Sequence, residues 1–529
     1  MKKIISILMV CALLLSLGAC SFSGNNTTFT IGVLDSVVVL DPLFAGNSSE
    51  RIVASNCFEG LLRFDKEGKI DLAGATAYTA DKTALKYTFK LNPDAVWFIS
   101  DGAETLMESS GLTEFDARIT ADDYIYGIER FILNDENSQL SAIKGAFEFE
   151  NGKAESVTGL KAVDDFTLEI TLNKIDTDFL YKLASLPVYP CDKEFSDSLD
   201  AIFCSTPATT LYNGTYYVKE NSAAETILER NPDYSGNIQI GNKTIILYST
   251  GKADTLISRF GEGNYDLVLT PDTEIIADEK AVSSSPSSIW GVAFNCQSEK
   301  GADAEIRKLL TSTIDYKKIA LPDFALSEAQ TIIPGIYGIF DDVYSSNEPK
   351  AVVAPVAPEK PEEALDAILD TLGTDTLSLR FSVPVQMEET ADEIVKNWES
   401  VFGEKLIIDL DTFELKDIKD LQNRNNYDLA ILPLTPDMRT AASVINELES
   451  FPCYYSDEAI TTVLSKPKAT TKDSAASFAA VEKKVAENGV FIPLFYSGPS
   501  LYLGKNIEGM YIADGGNSLY FYPGVLVEE

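Results

Sequence analysis

The run Leu85-Lys86-Tyr87-Thr88-Phe89-Lys90-Leu91, followed by Trp97, Ser100-Asp101-Gly102 and Thr120-Ala121-Asp122-Asp123, carries the decisive pattern in this chain. Leu85, Tyr87, Phe89 and Leu91 alternate with polar Lys86, Thr88 and Lys90, the period of a half-buried strand. Thr120 stands ahead of Tyr124, Ile128 and Phe131, whose spacing predicts a helix capped by the Thr120 hydroxyl. Working outward, 167–172 repeats the strand alternation and Thr28–Val33 shows it again. Ser48–Cys57 reads as a helix with Ser48 or Ser49 as cap and Ile52, Val53 and Cys57 on its apolar side. Further on, helices are expected over 304–313, 361–372, 389–402 and 474–488, with strands at 377–383, 405–410 and 427–433. The first half therefore reads as α+β and the second as alternating α/β layers.

With 529 residues, 45% hydrophobic and 23% charged, the chain exceeds one comfortable core, and two or three domains are expected. Acids outnumber bases 81 to 43, for a net charge of −38, which argues against a nucleic-acid partner. There is no histidine, so a Ser-His-Asp triad, Cys-His catalysis and the HExxH zinc helix are excluded. Lys2 and Lys3 precede an apolar run over 4–17, which has signal-peptide length and is short for a membrane span. That run ends in Leu17-Gly18-Ala19-Cys20, which resembles the lipobox of bacterial lipoproteins and implies lipidation of Cys20. An ordinary secreted cleavage site beside an incidental cysteine is the alternative. The Ser/Asn/Thr-rich stretch that follows suits a flexible tether. Beyond Cys20 lie Cys57, Cys191, Cys204, Cys296 and Cys453, an odd number. Cys191 and Cys204 are near enough in sequence to bridge, but buried free thiols are the preferred reading. The Pro-rich run 351–361 reads as an extended connector into a helix opened by Pro361.

Read in order, further pieces resemble the extracytoplasmic solute-binding proteins of ABC importers, in the peptide/nickel group (family 5) with its oligopeptide- and dipeptide-binding members. The resemblance rests on the strand at 29–33 with Leu40-Asp41-Pro42, on Phe58-Glu59-Gly60-Leu61-Leu62-Arg63-Phe64-Asp65, and on the opening run quoted above with Glu129-Arg130 beyond it. Val163-Asp164-Asp165-Phe166-Thr167-Leu168, Asn213-Gly214-Thr215-Tyr216 and Leu228-Glu229-Arg230-Asn231-Pro232-Asp233-Tyr234 follow. Phe294-Asn295, Arg307, Ile314-Asp315 and Ile492-Pro493-Leu494 complete the series. The stretch 103–119 is longer than the family's and suggests a surface insertion.

The resemblance implies an α/β fold of the two-lobed periplasmic-binding-protein type (class II, cluster C), with an extra α+β subdomain inserted in the first lobe. Its expected division is a signal peptide at 1–19, a tether at 20–28, lobe I over 29–70 and 201–288, the inserted subdomain over 71–200, lobe II over 289–490, and a return to lobe I over 491–529. A hinge is expected near 290–295 and 491–495. Hinge closure on a ligand would favour the closed state.

Extended peptides are held by main-chain pairing to strand edges, and the resemblance places such edges at 35–39, with Val37, Val38 and Val39, and near 432–435, with Leu434 and Thr435. Asp437 falls where oligopeptide-binding members carry the Asp that pairs with the peptide's α-ammonium, while Leu434 and Met438 replace that motif's Trp and Tyr. The other reading of Asp437 is a solvated cap for a helix over 438–448. Arg439 beside it either serves a ligand carboxylate or simply pairs with Asp437, and the simple pair is preferred. Trp97, Trp290 and Trp398 fall in apolar patterns and read as core.

The expected partners are short peptides, the permease and ATPase of an ABC importer, and the membrane through lipid on Cys20. A monomer is expected, extracytoplasmic and lipid-anchored, with no cofactor, no metal and no catalysis. The alternatives are the same fold with another cargo (a nickel chelate, haem, an oligosaccharide or a signalling peptide) and, more distantly, a secreted hydrolase working through paired carboxylates.

Overall fold

The computed structural model describes residues 28–65, 68–112, 114–238, 242–270, 283–284, 286–347 and 355–504, with short strands at Ile507–Glu508, Ile512–Asp514, Leu519–Phe521 and Val525–Leu526. The leader and Cys20 lie outside the described residues.

Three sheets organise the chain. The first has seven strands, with Thr28–Val33 parallel to both Thr244–Ser249 and Leu267–Thr270. Glu225–Arg230 and Tyr216–Asn221 extend one side, and Ser500–Leu503 pairs antiparallel to Leu267–Thr270 on the other. The second sheet has six strands in the order Ser327–Glu328, Phe491–Ser497, Ser288–Phe294, Leu429–Leu434, Leu377–Pro384, Leu406–Phe413. The third is four-stranded and antiparallel, with Lys86–Leu91 between Ala75–Ala80 and Thr167–Thr171. The α/β and α+β halves thus become two lobes and an inserted subdomain.

The alternation that opened the sequence reading works as expected. Tyr87, Phe89 and Leu91 enter one apolar cluster with Tyr124, Ile128 and Phe131 of the helix Ala121–Asn134. The Asp123 carboxylate accepts from the Thr120 amide at 2.7 Å and its hydroxyl at 2.9 Å, which fixes the helix start. A Cβ on Gly127 would stand 1.9 Å from the Tyr189 carbonyl oxygen, so only glycine lets this helix rest on the Tyr189 backbone. The longer stretch at 103–119 contributes the helix Asp101–Ser110, capped by Ser100 and closed by left-handed Gly111.

All three tryptophans are core residues. Trp97 is buried in the inserted subdomain. Trp290 stacks on Phe495 with ring centroids 5.7 Å apart, and the fully buried Trp398 donates to the Leu310 carbonyl at 3.0 Å. Pro361 opens the helix Pro361–Leu372, as its fixed φ and missing N–H allow. The five cysteines 57, 191, 204, 296 and 453 are free thiols. No helix among the described residues is long and apolar enough to cross a membrane.

Two expectations are corrected. The helix Ser48–Cys57 is capped by Asn47, one residue ahead of the expected serine. The crossing between lobes is also displaced. Residues 290–294 and 491–495 belong to two strands of the second sheet, paired from Ser288↔Ser497 through Trp290↔Phe495. The chain leaves the first sheet at Ser283–Ser284, enters the second at Ser288, and re-enters the first at Ser500 rather than 491. Every residue of Ser288–Phe294 and Phe491–Ser497 is buried, so neither run shows the alternation that would have marked it as a sheet strand.

Candidate ligand cleft

On the first lobe the segment after Thr28–Val33, with Val37, Val38 and Val39, has part of its main chain already engaged. The Val38 and Val39 amides donate to Glu50 Oε1 at 3.1 and 3.0 Å, and those of Gly46 and Asn47 donate to Oε2 at 2.7 and 3.2 Å. Val37 is buried and its carbonyl accepts from Asn221 at 3.2 Å. The Val38 side chain, 74% exposed, is what this loop offers to solvent. Burial works against the Glu50 carboxylate, but four backbone donors outweigh it and hold its pKa below the ordinary range. Glu50 was missed from sequence, although Asn47-Ser48-Ser49-Glu50 has the capping-box spacing that could have found it.

On the second lobe Leu434 ends the strand Leu429–Leu434 opposite Ile289, and its side chain is fully buried. Its side chain belongs to the core. Thr435 and Asp437 are exposed. The helix that follows is Ala441–Glu447, shorter than expected, and its cap is Thr440, whose hydroxyl accepts from the Ser443 amide at 3.2 Å. Asp437 is therefore not a helix cap. Its carboxylate makes no hydrogen bond or ion pair among the described residues, so the expected pair with Arg439 does not form. Arg439 is 4% exposed and engaged elsewhere.

Asp437 lines a cavity of about 440 Å³ between the second lobe and the inserted subdomain. Across it stand Lys174, Asp176, Asp178 and Lys182, the last paired to Asp176 at 2.7 Å. The two bodies are fastened at its floor. Thr440 Oγ1 donates to Asp178 Oδ2 at 2.7 Å, and the Phe340 amide donates to the Thr177 carbonyl at 2.6 Å. Close by, Gly338 brings bare backbone against the Tyr181 ring, where a Cβ would lie 2.0 Å from ring carbon. Val37, Val38 and Val39 are on the other lobe, and no hydrogen bond or ion pair among the described residues joins them to Leu434, Thr435 or Asp437. Nothing in the sequence signalled the opposing wall, since its residues lie more than 200 positions from Asp437.

Burial raises several carboxyls here. Asp178 is pushed up to about 6, by burial first and by Asp176 second. Glu447 rises to about 7, again by burial first, with the Asp437 charge adding to it. Elsewhere Asp123 is raised to about 6 and Glu482 to about 7 by burial. A carboxyl with a folded pKa above its unfolded one binds its proton more tightly in the folded state. Stability therefore rises as pH falls from about 7 toward 4.5, on the order of 2 kcal/mol per fully buried group. The thermal midpoint is expected to be several degrees higher at pH 5.5 than at pH 8, and Asp178→Asn is expected to flatten that slope. A midpoint that falls over this interval would contradict the assignment. Glu50 and Asp457, held low, act in the opposite sense only below about pH 4.

Comparison with known proteins supplies the family. The sequence profile described as bacterial extracellular solute-binding proteins, family 5 middle, matches residues 69–451. The oligopeptide-binding protein AmiA of Streptococcus pneumoniae is 27% identical over 329 residues, 58% of this chain and 47% of AmiA. The chain thus spans about half, or less, of the length of the first curated relatives it matches. Among solved structures, the unliganded open form of the murein tripeptide-binding protein MppA superposes with a TM-score of 0.71 at 20% identity, covering 96% of this chain and 98% of that one. Peptide-bound OppA of Listeria monocytogenes gives 0.58 at 19% identity, covering 96% and 100%. The two sheets, the inserted subdomain and the matched span leave one placement: the chain belongs to the bacterial extracellular solute-binding proteins of family 5.

Proposed function

We propose that this protein captures short peptides outside the membrane and delivers them to the permease of an ABC importer by closing its lobes, without chemical turnover. The observation that carries this reading is Asp437, an unengaged carboxylate on the wall of a cavity between two bodies, with Glu447 near enough to feel its charge. An unengaged carboxylate on that wall, with a second acid behind it, favours a cation, and a peptide's α-ammonium brings one at a fixed end of an otherwise variable ligand. Closing the first lobe would bring the exposed Val38 side chain toward the same ligand. Family membership supports the class, and the oligopeptide-binding relatives support the cargo. The leader and Cys20 support a mature chain held to the membrane by lipid on that cysteine.

The test uses the mature chain with Cys20→Ser. Its native mass spectrum is expected to show adducts spaced as short peptides. Calorimetry with a free-amine tetrapeptide should give clear binding, with a loss of about 30-fold for Asp437→Ala or for the N-acetylated peptide. Affinity should also fall several-fold from pH 8 to pH 5.5, as Glu447 takes up its proton and the negative charge beside Asp437 drops. Equal affinity for acetylated and free peptide removes the amine clamp. A single adduct without amide-spaced masses reassigns the cargo within the same fold.

A further inference from the structure

Four of the five free cysteines fall into two couples. Cys191 and Cys204 line one small cavity with Arg130, whose guanidinium donates to Cys191 Sγ at 3.6 Å and to Asp41 at 2.7 Å. That sulfur is already engaged by a cation. The second couple is arranged differently. Cys296 follows the strand Ser288–Phe294, and Cys453 lies in the loop after the helix Ala441–Glu447. The Cys296 amide donates to the Cys453 carbonyl at 2.9 Å. A direct main-chain bond of this kind makes the two residues immediate neighbours, as a disulfide requires.

The surroundings fit the same bond. Cys453 is fully buried and Cys296 half-buried, so an oxidant meets Cys296 first. Among the described residues Cys296 Sγ makes one weak contact, with the Phe294 carbonyl at 3.7 Å, which rotation about Cα–Cβ can exchange for the Cys453 sulfur. Burial pushes the Cys453 thiol up, and the nearby Cys296 adds to that shift. Membership of an extracellular family places the chain where disulfides persist.

We propose that Cys296 and Cys453 form a disulfide in the mature protein, joining the start of the second lobe to the loop behind its ligand-facing helix. The step is thiol–disulfide exchange with a small-molecule or protein disulfide as oxidant. The Cys296 thiolate attacks one sulfur of the oxidant and expels a thiol, giving a mixed disulfide. Cys453, losing its proton, attacks the Cys296 sulfur and expels the second thiol. Two protein thiols are oxidised, one oxidant disulfide is reduced to two thiols, and no other reactant is needed. The bond closes a loop of roughly 150 residues and restricts the unfolded chain accordingly.

The test keeps the chain folded. The Cys20→Ser protein, purified reduced, is incubated with oxidised glutathione, alkylated, and digested without reduction. The expected result is a linked peptide pair containing Cys296 and Cys453, two fewer titratable thiols in denaturant, and a thermal midpoint raised by about 5 °C. Cys296→Ser and Cys453→Ser should each abolish the linked pair and the rise. Alkylation of all five thiols after oxidation, a glutathione adduct on Cys296 that does not resolve, or linkage through other cysteines overturns the proposal.

Discussion

Glu50→Ala is expected to destabilise the first lobe by about 4 kcal/mol and to release the loop from Val38 to Asn47. The size follows from what a single carboxylate does. It terminates four main-chain N–H groups, of Val38, Val39, Gly46 and Asn47, and it is the reciprocal half of the capping box that starts Ser48–Cys57. Alanine supplies no acceptor, so these donors must find water or stay unpaired at a site that is 5% exposed. Glu50→Gln keeps one acceptor oxygen and should lose about half as much. Amide hydrogen exchange is the discriminating measurement. Protection at residues 38, 39, 46 and 47 should collapse in the alanine variant while the helix beyond Ile52 stays protected. Unchanged protection at 38 and 39 would mean that other contacts hold the loop.

Arg307→Ala should cost a similar amount, about 4 kcal/mol, in the second lobe. Arg307 is 4% exposed, and its guanidinium spans three carbonyls. Nη1 donates to Gly301 and Ala302, both at 2.8 Å, and Nε donates to Asn488 at 3.0 Å. It thereby binds the entry to the helix Ala304–Ser312 to the exit of Thr471–Glu487, just ahead of the strand Phe491–Ser497. Lysine cannot reproduce a planar fork across three acceptors, so Arg307→Lys should recover only a minor part of the loss. Urea unfolding followed by tryptophan fluorescence reads this lobe, since Trp290 and Trp398 both lie in its core. A variant within 1 kcal/mol of the parent would show those carbonyls to be satisfied by water.

Much of the architecture was legible because local chemistry and tertiary demand agree. Thr120 and Pro361 mark helix starts, and Tyr87, Phe89 and Leu91 declare a buried face, since capping and amphipathicity are written within a few residues. Legibility failed where that agreement lapses. The paired strands Ser288–Phe294 and Phe491–Ser497 are buried throughout, so their pattern could not separate sheet from crossing.

The site was harder. Asp437 was singled out by the position at which oligopeptide-binding members carry an Asp, but its freedom depends on Thr440 taking the capping role two positions beyond Met438. The Leu434 side chain and the Val38 and Val39 amides looked available in one dimension and are committed in three, to the core and to Glu50. The Asp178–Thr440 contact joins residues 262 positions apart, a relation that no local spacing encodes.

The way the first sheet is completed also fixes an order of biosynthesis. A ribosome releases Leu267–Thr270 long before its antiparallel neighbour Ser500–Leu503. Every strand of the six-stranded sheet, from Ser288 to Ser497, is translated in the interval. The second lobe can therefore mature as a finished body while the first still carries an open hydrogen-bonding edge. Products truncated before Ser500 would keep a complete second lobe beside an unsealed first one, leaving that edge as the surface on which chaperones and proteases act.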